Sequence, residues 1–146
     1  MKMRPIILCF LGILLIFLFT DTPPARAAEI LVIAHSSVPV ERLEREAVAE
    51  IYLGTRTKWD DGAKIRVVML KEGTTHETFV RDIVKTTPAK LRDVWKKVVF
   101  TGTGTPPKIV KTEADLVTFV AETSGAIGYI GAATPHEEVN VISLQE

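Results

Sequence analysis

The sequence predicts an α/β sandwich, a largely parallel, mixed sheet flanked by helices. Two observations carry this. From residue 30 onward, short apolar runs rich in β-branched residues alternate with segments of helical period. The helical segments open on recognisable caps, and several close near a glycine. No repeat or low-complexity tract interrupts the pattern, and 146 residues suit one domain rather than two.

The first strand is residues 30–34, I-L-V-I-A. It is apolar on both faces, as expected of a buried and parallel strand. His35-Ser36-Ser37 leads from it into a loop. Residues 41–53 have helical period, with Leu43, Ala47, Val48, Ile51 and Tyr52 on one face and Gly54 beyond the end. Asp60-Asp61-Gly62 marks a turn, and residues 65–70 form the second strand. Thr74 with Glu77 has the spacing of a capping box ahead of the apolar stripe Phe79, Val80, Ile83 and Val84. Thr87-Pro88 opens the next helix, whose Leu91, Val94, Trp95 and Val98 repeat at helical spacing. After a loop rich in Gly, Thr and Pro, Ile109-Val110 forms a short strand. Thr112 caps a further helix through Leu116, Val117, Val120 and Ala121. Residues 126–130 form a strand with Gly128 inside it, a sign of close approach by another backbone or a ligand. Residues 139–144 form the last strand.

The N-terminus does not belong to this domain. Lys2 and Arg4 precede an apolar run over residues 5–19, and Ala25-Arg26-Ala27 supplies small residues at a cleavage site. This order is that of a secretory signal peptide. The run is shorter than the roughly twenty apolar residues of a membrane span. Cys9 lies inside it after Leu8, where lipoprotein processing would need a small residue. The expected division is therefore a signal peptide, 1–27, and an exported, periplasmic domain, 28–146. Removing Lys2, Arg4 and Arg26 but only Asp21 leaves the domain slightly acidic. With no basic block it is not suited to nucleic acid. The one cysteine leaves with the signal peptide, which excludes disulfides, Cys-based metal sites and Cys nucleophiles from the domain.

Three segments resemble phosphate ABC transporter substrate-binding proteins. Ile51-Tyr52-Leu53-Gly54 followed by Trp59 is similar to the family's I-F-L-G…W element. Val67-Val68 leading to Gly73-Thr74-Thr75 and Phe79 is similar to the strand-to-helix turn that carries Ser-Gly-Thr. Gly125-Ala126-Ile127-Gly128-Tyr129 matches P-G-A-I-G-Y, with Ser124 in place of the proline. Together they span about residues 30–144. The resemblance implies one lobe of a type II periplasmic binding protein, whose two lobes ordinarily close on the solute. It implies a small, phosphate-like oxyanion as ligand and an ABC transporter or a membrane sensor as partner. A complete clamp would need a partner chain or a homodimer.

The resemblance also implies where the ligand would sit. Gly73, Thr74 and Thr75 align with Ser-Gly-Thr, and only Thr75 matches. Met69 stands where the family has an arginine that forks onto the oxyanion. Lys71 replaces part of that charge, as a point charge. Backbone N–H groups at a helix start can hold an anion without an arginine, but Glu77 and Glu72 place negative charge there, and Glu77 can fold back as the capping partner. Ser36 and Ser37, after the first strand, are further candidates, because ligands on such sheets bind beyond strand C-terminal ends. That rule points to the loops after Ala34, Leu70 and Ile130.

Nothing in the chain points to catalysis. His35, His76 and His136 have no ligand spacing, and no G-x-S-x-G elbow occurs. Gly102-x-Gly104 before Pro106-Pro107 lacks the rest of a phosphate-loop motif. No metal or cofactor is expected. Trp95 and Tyr129 are expected in or at the edge of the core, and Trp59 at a partly exposed position. Two functions remain open. One is a solute-binding module of low oxyanion affinity. The other is an interaction or scaffold domain with a decayed ligand site, docking on an envelope complex or a sensor ectodomain.

Overall fold

The computed structural model describes residues 29–146; the expected signal peptide lies outside the described residues. Six strands form one sheet in the order β2-β6-β1-β5-β3-β4. They are β1 (Ile30–Ala34), β2 (Arg42–Glu44), β3 (Arg66–Leu70), β4 (Lys108–Val110), β5 (Ala126–Gly131) and β6 (Asn140–Gln145). The helices are α1 (Arg45–Tyr52), α2 (Thr74–Phe79), α3 (Pro88–Thr101) and α4 (Glu113–Glu122). A π-helical turn, Val80–Val84, continues α2 and ends on Lys85 in the left-handed region.

The sheet is mixed. β3 pairs in parallel with β4 and β5, and β2 with β6, whereas β1 is antiparallel to both β5 and β6. The parallel orientation expected for β1 is therefore corrected. An unbroken apolar run reports that both faces are covered, not which way the neighbours run. A second correction concerns residues 41–53. Arg42–Glu44 leave the expected helix and pair with Ser143–Gln145 as an edge strand, and only Arg45 onward is helical. Leu43 is buried in either case, so its apolar character did not separate the two.

Two caps are as the sequence implies. Thr87 accepts from the Lys90 N–H at 3.2 Å and Thr112 from the Asp115 N–H at 3.1 Å. The capping box at Thr74 is not formed. Gly73 is the N-cap, at φ 111° and ψ 168°, and no side chain caps α2. That backbone region is essentially restricted to glycine.

Alternate residues of β5 serve opposite layers. Gly128 faces α4, and Tyr129 faces α1 and α2. Every residue of β5 is buried. A Cβ on Gly128 would collide with Leu116 and come within 3.0 Å of Val68 and 3.1 Å of Val120. The close approach expected at this glycine is thus made by side chains of α4 and β3, not by a backbone or a ligand. On the other face the Tyr129 ring stacks on Phe79 at 3.8 Å, and Tyr52 meets Phe79 edge-on at 4.7 Å. Trp59 is buried at 2% exposure, with its indole N–H donating to the Gly125 carbonyl at 3.0 Å. This overturns the partly exposed position expected for it. Trp95 donates to the Tyr52 carbonyl at 2.9 Å, which ties α3 to the end of α1.

Gly128→Ala should destabilise the fold by about 1–3 kcal/mol, the usual cost of overpacking. Urea denaturation should show a lower midpoint with an unchanged slope.

Candidate functional site

Strand direction decides which candidates can meet. β3 and β5 run the same way, so Lys71 and the turn at Gly73-Thr74-Thr75 leave the sheet at the end where β5 reaches Gly131. β1 runs the other way, with Ile30 opposite Gly131 and Ala34 opposite Ile127. Ser36 and Ser37 therefore emerge at the opposite end. There the Ser37 hydroxyl accepts from the Gly125 N–H at 3.2 Å and lies 3.0 Å from the Ser124 hydroxyl and 2.8 Å from His35 Nδ1. This network joins the end of β1 to the start of β5. The six candidates thus fall into two places, and Ser36 and Ser37 do not share a site with the turn.

At the turn, Gly73 and Thr74 are exposed and Thr75 is half-buried. The Thr75 hydroxyl donates to Glu113 Oε1 at 2.5 Å. Glu113 Oε2 accepts from the Gly131 N–H at 3.0 Å and from the Thr134 hydroxyl. Two hydroxyls and one backbone N–H converge on one carboxylate. Such a donor set would also suit a small oxyanion, and a side chain from the first turn of α4 fills it. Burial pushes the Glu113 carboxyl upward, but the hydrogen bonds from Thr134, Thr75 and Gly131 together outweigh it. The group ends below the ordinary carboxylate range.

The occupant expected from the sequence was Glu77. Instead its side chain is exposed, and its backbone N–H donates to the Gly73 carbonyl at 3.0 Å. Glu113 was missed because an acid in a first helical turn is ordinary on dipole grounds alone. Met69 is buried at 5% exposure among apolar side chains, so the arginine position of the resembled family carries no charge here. Lys71 is exposed, with its N–H donating to the Val110 carbonyl at 2.8 Å.

His76 is a second residue that the sequence did not single out. It is buried at 7% exposure, with Nδ1 2.5 Å from the Tyr129 hydroxyl. That hydroxyl accepts from the Leu70 N–H at 3.0 Å, and His76 Nδ1 is the acceptor within reach of its own proton among the described residues. The proton of a neutral His76 is then on Nε2. Burial first and the Arg92 charge second push the His76 pKa below its ordinary value, against an upward pull from Glu77. Among the described residues no cluster of three or more His, Cys, Asp or Glu is placed to hold a metal ion.

The fold is shared with solved phosphate-binding proteins. A protein of Clostridium perfringens solved with bound phosphate, and described as a phosphate ABC transporter substrate-binding protein, matches with TM-score 0.64 at 23% identity. The match covers 79% of this chain and 44% of that one. An ABC-type phosphate transport receptor from Vibrio cholerae matches with TM-score 0.59 at 20% identity, over 79% of this chain and 45% of its own. PstS from Borrelia burgdorferi matches with TM-score 0.60 at 17% identity, over 80% and 47%. The chain thus spans less than half the length of these structures. No family model and no curated protein sequence matches it. The resemblance read from the three segments holds at the level of the fold.

The Glu113 contacts have a pH signature. Its folded pKa is depressed, so the stability it contributes is full above the unfolded value of 4.5. That stability is lost as pH falls from there through the folded value. Glu113→Gln should be less stable than the parent at pH 7 by about 1–2 kcal/mol. Denaturation curves between pH 7 and pH 3 should show the gap narrowing below about pH 4.5.

Proposed function

We infer that this protein is an exported, non-catalytic domain of the solute-binding type, working in the periplasm. We also infer that its phosphate-type turn is satisfied internally and takes small oxyanions only with low affinity. The observation that carries this reading is the Glu113 carboxylate on Thr75, Gly131 and Thr134. An entering anion must displace a tethered carboxylate, which competes as if present at about millimolar concentration or above. It must do so without the forked arginine whose position Met69 occupies. Charge-assisted hydrogen bonds contribute about 1.5–3 kcal/mol each, so that loss alone is worth roughly two decades of affinity.

Export rests on the signal-peptide pattern of residues 1–27. Among the described residues no helix is long and apolar enough to cross a membrane. The chain spans less than half the length of the solved proteins that share its fold, and good small-molecule sites cover about 70–90% of the ligand. The facing wall is assigned to a partner chain or a second copy, and the receiver to an ABC transporter or a membrane sensor. The buried Met69 favours a second reading, in which the ligand site has decayed and the domain docks on an envelope complex or a sensor ectodomain.

The two readings separate on melting temperature with phosphate and with formate. The parent protein should show no saturable shift at low millimolar concentrations. Glu113→Ala should melt lower, and added anion should restore part of the loss by binding the folded state. Micromolar phosphate binding by the parent would overturn the low-affinity assignment. A Glu113→Ala variant that ignores both anions would decide for the docking domain.

A further inference from the structure

A cavity of about 540 Å³ lies beside the turn, between β3, β4 and α3. Its size is that of small-molecule sites, roughly 300–1,000 Å³. Met69, Leu91, Trp95 and Ile109 line it, so its surface is mostly apolar. On its lining Val99 is 51%, Phe100 93% and Ile109 49% exposed. These three make an apolar rim on the same hollow, which solvation alone does not explain.

The charge on this cavity has one sign. Lys71, Arg92 and Lys96 line it, and no acidic residue does. His76 lines it too, at 7% exposure. With Nδ1 taken by Tyr129, Nε2–H makes no hydrogen bond to the described residues, and it is open to solvent on the side of the hollow. An unpaired donor on an otherwise buried ring therefore faces the hollow together with Arg92 and Lys71. The N-terminus of α3, opened by Pro88, adds positive potential there. From Arg92 the apolar side chains of α3 continue to Val99, about 10 Å further along the helix axis. The hollow gathers His76, Lys71 and Arg92 toward the start of α3, and its remaining lining is apolar apart from Lys96, which lies 3.7 Å from Asp93.

We propose that this cavity binds a small amphipathic carboxylate, a medium-length aliphatic chain ending in one carboxylate group. The carboxylate accepts from His76 Nε2–H and pairs with Arg92 and Lys71. The chain lies along Leu91 and Trp95 and ends under Phe100. Inorganic phosphate does not fit these terms, because it would leave the apolar length unused. An amine is repelled by the cations. The site shares Lys71 with the strand end that leads into the turn, but it uses none of Gly73, Thr74, Thr75 or Glu113.

The test is titration of the purified protein with decanoate below its micelle-forming concentration, read by tryptophan emission and melting temperature. Acetate, decylammonium and phosphate serve as comparisons. Decanoate should give a saturable response that acetate and decylammonium do not. Arg92→Gln and Phe100→Ser, both at exposed positions, should each weaken decanoate about tenfold or more while the fold and the response to phosphate are unchanged. The proposal is overturned if decanoate gives no saturable response, or if decylammonium binds equally well. It is also overturned if neither substitution weakens decanoate. A concentration-dependent dimer that Phe100→Ser dissolves and decanoate does not compete would assign the rim to a second copy instead.

Discussion

A phenol hydroxyl placed inside an apolar layer must find partners, or it costs the full desolvation of the group. Tyr129 meets that requirement with two bonds that join different elements. It accepts from the Leu70 N–H, at the end of β3, and donates to His76 of α2. Its ring stacks on Phe79 at the other end of α2. One side chain of the central strand thus positions the strand end, the helix start and the aromatic layer. The next residue back, Gly128, leaves the room that α4 needs on the opposite face. Burial of the hydroxyl holds the Tyr129 pKa far above its ordinary value, so the proton stays available for donation to His76.

This anchoring explains why two neighbouring residues of α2 serve different places. Thr75 points toward α4 and the end of β5, where Glu113 waits. His76 turns to Tyr129 and lines the hollow against α3. Met69 is buried in the apolar layer, and the Thr75 hydroxyl, the Gly131 N–H and the Thr134 hydroxyl share one acceptor. A carboxylate contributed by the chain itself satisfies those donors at lower entropic cost than a free anion, because it is already tethered. Its desolvation is offset by three hydrogen bonds, which is why its pKa falls despite partial burial.

Much of the fold was legible in the sequence because it is written in local terms. Thr87-Pro88 and Thr112 announce helices through their own caps, and the strands around Ile30, Val67 and Ile127 announce themselves through short β-branched runs. What failed depended on distant residues. The direction of β1 is set by which strands flank it, and the strand at Arg42 exists only because β6 returns beside it. Trp59 is buried because the Gly125 carbonyl, far along the chain, meets its indole. The site was less legible for the same reason. Thr75 was named, but its partner Glu113 looks like any acid at a helix start. Ser37 was named from a strand-end rule that assumes a parallel β1. His76 is polar and opens a helix, so nothing local separates it from a solvated residue.

The remaining question is what encloses a ligand on a chain less than half the length of the solved proteins that share its fold. A small, strongly hydrated ion held at one turn keeps most of its surface in water unless a facing wall covers it. An apolar chain is different, since its gain scales with the surface removed from water, about 25 cal/mol per Å². That gain is available from a hollow in one lobe without a second wall. The proposed carboxylate site therefore asks less of a facing wall than an oxyanion site would, because its gain comes from apolar surface that the hollow itself covers.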